Sequence, residues 1–176
     1  MSEPSPTPPG GSSLPGTMPR SGVRLAKADD AAAVAGAIEK LLVELGGEQP
    51  DAAELEAATR ELVEAPEAGA VLIAETGGEL VGLLAASWQL AIHVPGRYAT
   101  IQDLWVLPAW RSRAIGHDLI EALCELAREH GVDRIEVGLP KESFERVGAT
   151  EAFYRANGFS HLGPRMRRLL EEEEER

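Results

Sequence analysis

The run IQDLWVLPAWRSRAIGHDLIEALCELAREHG, Ile101 to Gly131, constrains the fold of this chain more than any other stretch. Its opening residues read as a strand closed by Pro108. From Gly116 to His130 apolar residues recur at helical spacing. Leu119, Leu123 and Leu126 share one face, Ile120 and Ala127 lie beside them, and Gly131 stops the helix. Between strand and helix lies a short turn containing Arg111 and Arg113, in a chain whose formal net charge is -12. A strand that feeds a helix through such a turn belongs to an α/β layer structure.

The flanking sequence extends that order. Val23 and Leu25 alternate as a short strand would. Asp29 or Asp30 is a natural N-cap for a helix with Val34, Ile38, Leu41 and Leu45 on its apolar face, ended by Gly46-Gly47. A second helix opens on a capping box, Asp51 with Glu54, and turns Leu55, Ala58 and Leu62 inward. Two apolar runs around Gly77-Gly78 predict a β-hairpin. After the central helix, Ile135, Val137 and Leu139 alternate as a strand, ATEAFYRANGF forms a short helix stopped at Gly158, and SHLGPRMRRLL supplies one or two closing strands. The expected fold is an α/β mixed sheet of six to seven strands flanked by helices, in the order β-α-α-β-β-β-α-β-α-β(-β). Residues 1–21, rich in Pro, Gly and Ser, are expected to be disordered, 22–170 to form one domain, and 171–176 to be an acidic tail.

Composition narrows the function. No apolar run approaches the ~18 residues that span a bilayer, and the N-terminal stretch lacks the basic start and apolar block of a secretory signal. The acidic balance argues against nucleic-acid binding, which depends on basic surface. One cysteine, Cys124, gives neither a disulfide framework nor a metal cluster, so no metal is expected and a cytoplasmic address fits.

Against that acidic background the basic turn needs a reason. The first amides of a helix lack intrahelical partners, and the helix dipole adds roughly half a positive charge there. Arg111 and Arg113 add charge, while Ala114 and Gly116 let backbone approach a ligand closely. Hydrogen bonds to a charged group contribute about 1.5–3 kcal/mol each, so several convergent amides can hold a diphosphate. The turn lacks the Lys-Ser/Thr of a Walker A sequence and the three-glycine dinucleotide fingerprint. By itself it is equally a solvated turn.

DLWVLPAWRSRAIGHDLIEAL resembles the acetyl-CoA binding motif of the GNAT superfamily of N-acetyltransferases. EAFYRANGF is similar to the second motif of that superfamily, a helix carrying Phe-Tyr and ending in Gly-Phe, and GVRLAKADDAAAV to its opening strand and helix. The resemblance covers about Gly22 to Leu170. It implies that Arg111, Ser112, Arg113, Ala114, Ile115, Gly116 and His117 wrap the diphosphate of acetyl-CoA. It also implies that Leu104, Trp105 and Val106 offer backbone groups to the pantetheine arm, and that the strands IQDLWV and RIEVGL splay to admit the thioester. Tyr154 would sit near the sulfur and protonate the departing thiolate. Relatives are often homodimers; oligomeric state is not legible in the sequence itself.

Two departures from the family pattern stand out. The motif's first Gly is Ala114, which costs roughly 1–2 kcal/mol if the position is left-handed. Many relatives carry a Glu base where this chain has Gln102, and Gln cannot take a proton. Asp103 is the nearest carboxylate, but regular alternation points it to the opposite face unless a bulge redirects it. His93 is a looser candidate, and a site with no dedicated base is the third option.

Direct attack by an amine on a thioester needs no enzyme nucleophile. The expected activity is therefore acetyl transfer to a primary amine of a small molecule such as a polyamine, an amino acid or an amino sugar. The competing reading is a module that binds acyl-CoA without turnover, for which Gln102 and Ala114 speak. Cys124 reads as a packed thiol, His130 as a helix-end residue, His161 as surface, and Trp88 as a core aromatic or a wall of the acceptor pocket. GPRMRR reads as an exposed strand face or a reader of an acidic group.

Overall fold

The computed structural model describes residues 22–92 and 96–163. The chain runs β1 (Gly22–Leu25), α1 (Ala31–Leu45), α2 (Ala52–Glu64), β2 (Gly69–Thr76), β3 (Glu79–Ala91), β4 (Gly96–Val106), α3 (Ile115–Glu129), β5 (Val132–Val137) and α4 (Val147–Ala156). Short 3₁₀ turns precede α1 at Ala28–Asp30 and follow β4 at Pro108–Trp110. This is an α/β fold with one mixed sheet, ordered β1-β2-β3-β4-β5.

Among the described residues the sheet has five strands, fewer than expected. Residues 160–163 of the predicted closing segment form no strand, and the rest of it lies outside the described residues. The predicted disordered segment 1–21, the tail 171–176 and His93 also lie outside them. No described helix is long and apolar enough to cross a membrane.

Local chemistry accounts for the order. Gly77 and Gly78 take φ of +61° and +83°, the left-handed pair a tight hairpin needs, and β2 and β3 register from Thr76↔Glu79 back to Gly69↔Ser87. The first four strands pair antiparallel. The helix α3 then carries the chain back over the sheet, so β5 joins β4 in parallel.

The sheet divides two cores. On one face Leu72, Leu84, Ala86, Ala99 and Ile101 pack against Leu119, Ile120 and Leu123 of α3 and against Tyr154 of α4. On the other, Ile73, Leu83, Ala85 and Trp105 pack against Val34 and Ala37 of α1, with Leu62 and Val63 of α2 alongside. Covered on both faces, β2 is buried from Gly69 through Ala74.

Two local expectations are corrected. In α2 Ala58 is exposed, and the inward stripe is Leu55, Thr59, Leu62 and Val63. Thr59 tolerates burial because its hydroxyl donates to the Leu55 carbonyl at 2.8 Å. The capping box at Asp51 and Glu54 forms as the sequence suggests. Asp30 precedes α1 but does not cap it with its side chain. It accepts instead from the Lys27 amide at 2.7 Å and from Arg24 at 2.7 and 2.9 Å, while Arg24 also donates to Glu75 of β2.

That cluster pins the chain's entry to the sheet and sets a pH limit. Arg24 holds the Asp30 carboxyl down to about 2, from an ordinary value of 3.8. A depressed carboxylate contributes stability that is complete above its unfolded pKa and is lost as pH falls toward the folded one. The unfolding midpoint in urea should therefore drop between pH 4 and about 2, and Asp30→Asn should flatten that part of the profile while lowering the midpoint at neutral pH.

Candidate active site

A cleft of about 650 Å³ opens where β4 and β5 part, within the size range of small-molecule sites. The two strands pair through Ile101↔Val137, where β5 ends, while β4 continues to Val106. The far end of β4 thus has a neighbour on one side only, which is the splay that the resemblance implied.

A bulge prepares that end. Ala85 faces Asp103 and Ala86 faces Ile101, so Gln102 is the extra residue. Ile101 and Leu104, three apart, both join the core under α3, and Trp105 joins the core under α1. Regular alternation is thereby reversed after Ile101. Gln102 donates to Ser87 Oγ at 2.8 Å, and both Gln102 and Asp103 line the cleft.

Beyond the bulge the ladder determines which backbone groups remain. Leu107 N–H donates to the Val81 carbonyl at 2.9 Å. With alternation along an antiparallel pair, Trp105 then bonds toward β3, and Leu104 and Val106 turn their N–H and C=O groups toward the cleft. The Val106 carbonyl is taken by Arg111 Nε at 2.9 Å. Leu104 N–H, Leu104 C=O and Val106 N–H are what the edge has to offer.

The turn after β4 has an unusual backbone. Ser112 and Ala114 both have left-handed backbone, with φ of +62° and +64°. No side chain caps α3, and the first helical bond runs from Asp118 N–H to the Ala114 carbonyl at 2.9 Å. Among the described residues, no amide from Ser112 to His117 donates to a backbone carbonyl. Such a run of N–H groups at a helix N-terminus is a site for phosphate. Gly116 has a separate reason to be glycine: a Cβ there would lie 2.9 Å from Phe153 Cζ. The absent side chain lets α4 seat against the start of α3, which brings Tyr154 to the cleft.

Tyr154 is 7% exposed, edge-on to Phe153 and Phe159 at 5.2 and 5.3 Å. Burial, and after it the charge of Asp103, pushes the phenol up to about 12. Burial also raises the Asp103 carboxyl above its ordinary value. The two groups are therefore within electrostatic reach of one another.

The other sequence-predicted residues divide. Leu104, Trp105, Val106, Arg111, Ser112, Ala114, Ile115, Gly116 and His117 all border the cleft. His117 Nδ1 meets Asn157 Oδ1 at 2.8 Å, a contact from the turn to the end of α4. Arg113 is not on the cleft wall; its guanidinium lies 4.9 Å over the Trp110 ring. The charge of Arg111 is directed at Glu44.

Trp88 does not reach this cleft. It stacks on His130 at 5.1 Å and donates to the Pro66 carbonyl at 2.9 Å. Cys124 is half-buried, its thiol raised mainly by burial. His161 meets Glu151 at 2.9 Å. Of GPRMRR only Gly163 lies among the described residues.

Sequence reading missed Glu44, Leu41 and Leu45 of α1 and Phe144, Arg146 and Thr150 around the start of α4, all of which line the cleft. Leu41 and Leu45 carry the same periodic signal as core residues. The loop holding Phe144 and Arg146 has no periodicity to read. Among the described residues no group of three or more His, Cys, Asp or Glu could hold a metal.

Comparison with known proteins agrees with this architecture. Residues 37–159 match the family model of the acetyltransferase (GNAT) family, and the chain belongs to that family. No curated protein matches it by sequence. Among solved structures it is similar to an inferred acetyltransferase from Arthrobacter sp. FB24, with 30% identity, TM-score 0.67 and coverage of 87% of this chain and 94% of that one. It is similar to an aminoglycoside acetyltransferase, HMB0005, from an uncultured soil metagenomic sample, with 24% identity, TM-score 0.70 and coverage of 86% and 99%. It is also similar to AAC(6')-Iy in complex with the bisubstrate analogue CoA-S-monomethyl-acetylneamine, with 19% identity, TM-score 0.72 and coverage of 87% and 99%.

The left-handed Ala114 gives a stability prediction. Relief of its backbone strain is opposed by the greater chain entropy of glycine, so Ala114→Gly should stabilise the fold by about 0.5–1 kcal/mol in chemical denaturation. Gly116→Ala should do the reverse, costing about 1–3 kcal/mol as Phe153 is displaced.

Proposed function

We propose that this protein is an acetyl-CoA-dependent N-acetyltransferase that passes the acetyl group directly to a primary amine of a small molecule, with residues 22–170 as its catalytic domain. The bulge at Gln102 carries this reading, because it brings a carboxylate to a cleft that also holds a buried phenol. The residues fit acetyl-CoA: the uncapped amides of 112–117 suit its diphosphate, and the free groups of Leu104 and Val106 suit the amides of its arm. Bound there, acetyl-CoA supplies an activated thioester.

The chain's own residues manage the protons. Asp103 takes a proton from the amine as nitrogen bonds to the acetyl carbon, and Tyr154 gives a proton to sulfur as the carbon–sulfur bond breaks. A phenol held at about 12 is a poor acid toward a thiolate whose own pKa is about 8.5. Once Asp103 is protonated its charge no longer opposes ionisation of the phenol, so uptake at one residue eases release at the other. Gln102, committed to Ser87, is left as a polar wall.

The acceptor is read as an amine because an amine attacks a thioester directly and Asp103 suits removal of an N–H proton. Two similar structures are of aminoglycoside acetyltransferases, which supports a small polar amine. Acidic net charge and the single cysteine support a cytoplasmic protein without nucleic-acid or membrane partners, and a homodimer is the association expected from its relatives.

Thiol release measured across a panel of amines tests the reading. Tyr154→Phe should lower kcat about a hundredfold or more. Tight CoA binding with no turnover on any amine would instead identify a binding module. The acid limb of kcat/KM should contain an enzyme pKa above the ordinary carboxylate range, and Asp103→Asn should leave only the limb of the acceptor amine. A carboxyl raised in the folded state loses stability as pH climbs through its folded pKa. Asp103→Asn should therefore melt higher than wild type at neutral pH while turning over more slowly.

A further inference from the structure

The reaction above makes no use of Glu44, in the last turn of α1, although its carboxylate accepts hydrogen bonds from two side chains on the cleft wall. Both its carboxylate oxygens accept from Arg111 Nη2 at 2.7 Å, and one accepts from Trp105 Nε1 at 3.1 Å. Arg111 Nε at the same time donates to the Val106 carbonyl at 2.9 Å. One carboxylate thus links the end of α1, the free edge of β4 and the residue that opens the diphosphate turn. The side chains of Arg111 and Glu44 are 26% and 32% exposed, so the contact is partly shielded and partly screened by water.

The turn needs an external brace. Its left-handed Ser112 and Ala114 cost energy that surrounding contacts must offset. No side chain caps α3, and Arg113 rests on Trp110, within the same turn. Arg111 ties the turn to β4 and α1, as His117 through Asn157 ties it to α4, and Glu44 holds Arg111 in place.

We propose that Glu44 is a positioning residue for the coenzyme: acting through Arg111, it holds the amides of 112–117 in the arrangement that accepts a diphosphate. Arg111 then serves as a strut between Val106 and Glu44, its charge committed to the carboxylate and not to phosphate. The inference rests on the coenzyme-binding reading above. It also means that α1, which contributes Leu41 and Leu45 to the same cleft, is mechanically joined to the coenzyme turn.

The test compares CoA with ligands that lack the diphosphate. CoA affinity is measured by calorimetry, and steady-state kinetics are run with acetyl-CoA and with S-acetylpantetheine, which keeps the thioester and arm alone. Glu44→Gln should weaken CoA binding about tenfold, the scale of one charge-assisted hydrogen bond. KM for acetyl-CoA should rise in step with kcat little changed, and the loss should not extend to S-acetylpantetheine. Arg111→Lys keeps the charge but cannot bridge carbonyl and carboxylate together, so it should show the same loss, and the double variant should lose no more than either single one. Tighter CoA binding in Glu44→Gln would mean that the carboxylate merely sequesters a phosphate-binding arginine. Unchanged affinity, or an equal loss with S-acetylpantetheine, would also overturn the proposal. A wild-type protein that fails to bind CoA would count against the functional reading instead.

Discussion

The structure depends on a parallel strand pair that stops pairing partway. β4 and β5 bond as far as Ile101↔Val137, and β4 then runs on alone to Val106. Every feature of the cleft follows from that parting. Unpaired backbone groups need a partner or water, so the free edge of β4 is both a cost to the fold and the means of binding an extended ligand. The two cores make the parting tolerable, since α3 and α4 cover one face and α1 and α2 the other.

The bulge at Gln102 brings titrating groups to this gap. One extra residue changes which face each later side chain meets, so that Trp105 enters the core under α1 and Leu104 the core under α3. Asp103 is thereby buried enough for its carboxyl to rise, and its charge is felt by Tyr154. Two titrating groups in mutual reach, each raised by burial, are held at a cost in stability, and the proposed acid and base roles would account for that cost.

The turn between β4 and α3 carries local strain of its own. Ser112 and Ala114 adopt backbone that L residues rarely take, and in return a run of amides is left without backbone partners. Gly116 contributes through packing, by giving Phe153 room to seat α4. The turn, α4 and α1 meet at the cleft through His117 with Asn157 and Arg111 with Glu44. The turn, α4 and α1 are therefore one connected body of contacts.

The sequence by itself determined the order of elements, the Gly77-Gly78 hairpin, the capping box of α2, the long helix before Gly131 and the turn that opens it. Each rests on periodicity or on a residue with unusual backbone freedom, and such signals are local. It also marked Ala114 as the position where left-handed backbone would be strained. Only the tertiary structure decided that Gln102 is the bulged residue, that Asp103 shares the cleft with Tyr154, that Trp88 turns to His130, and that Glu44 grips Arg111 from sixty-seven positions away. The reason is physical: a bulge is defined by the partner strand and an ion pair by two distant elements, so neither leaves a trace in the spacing of nearby residues.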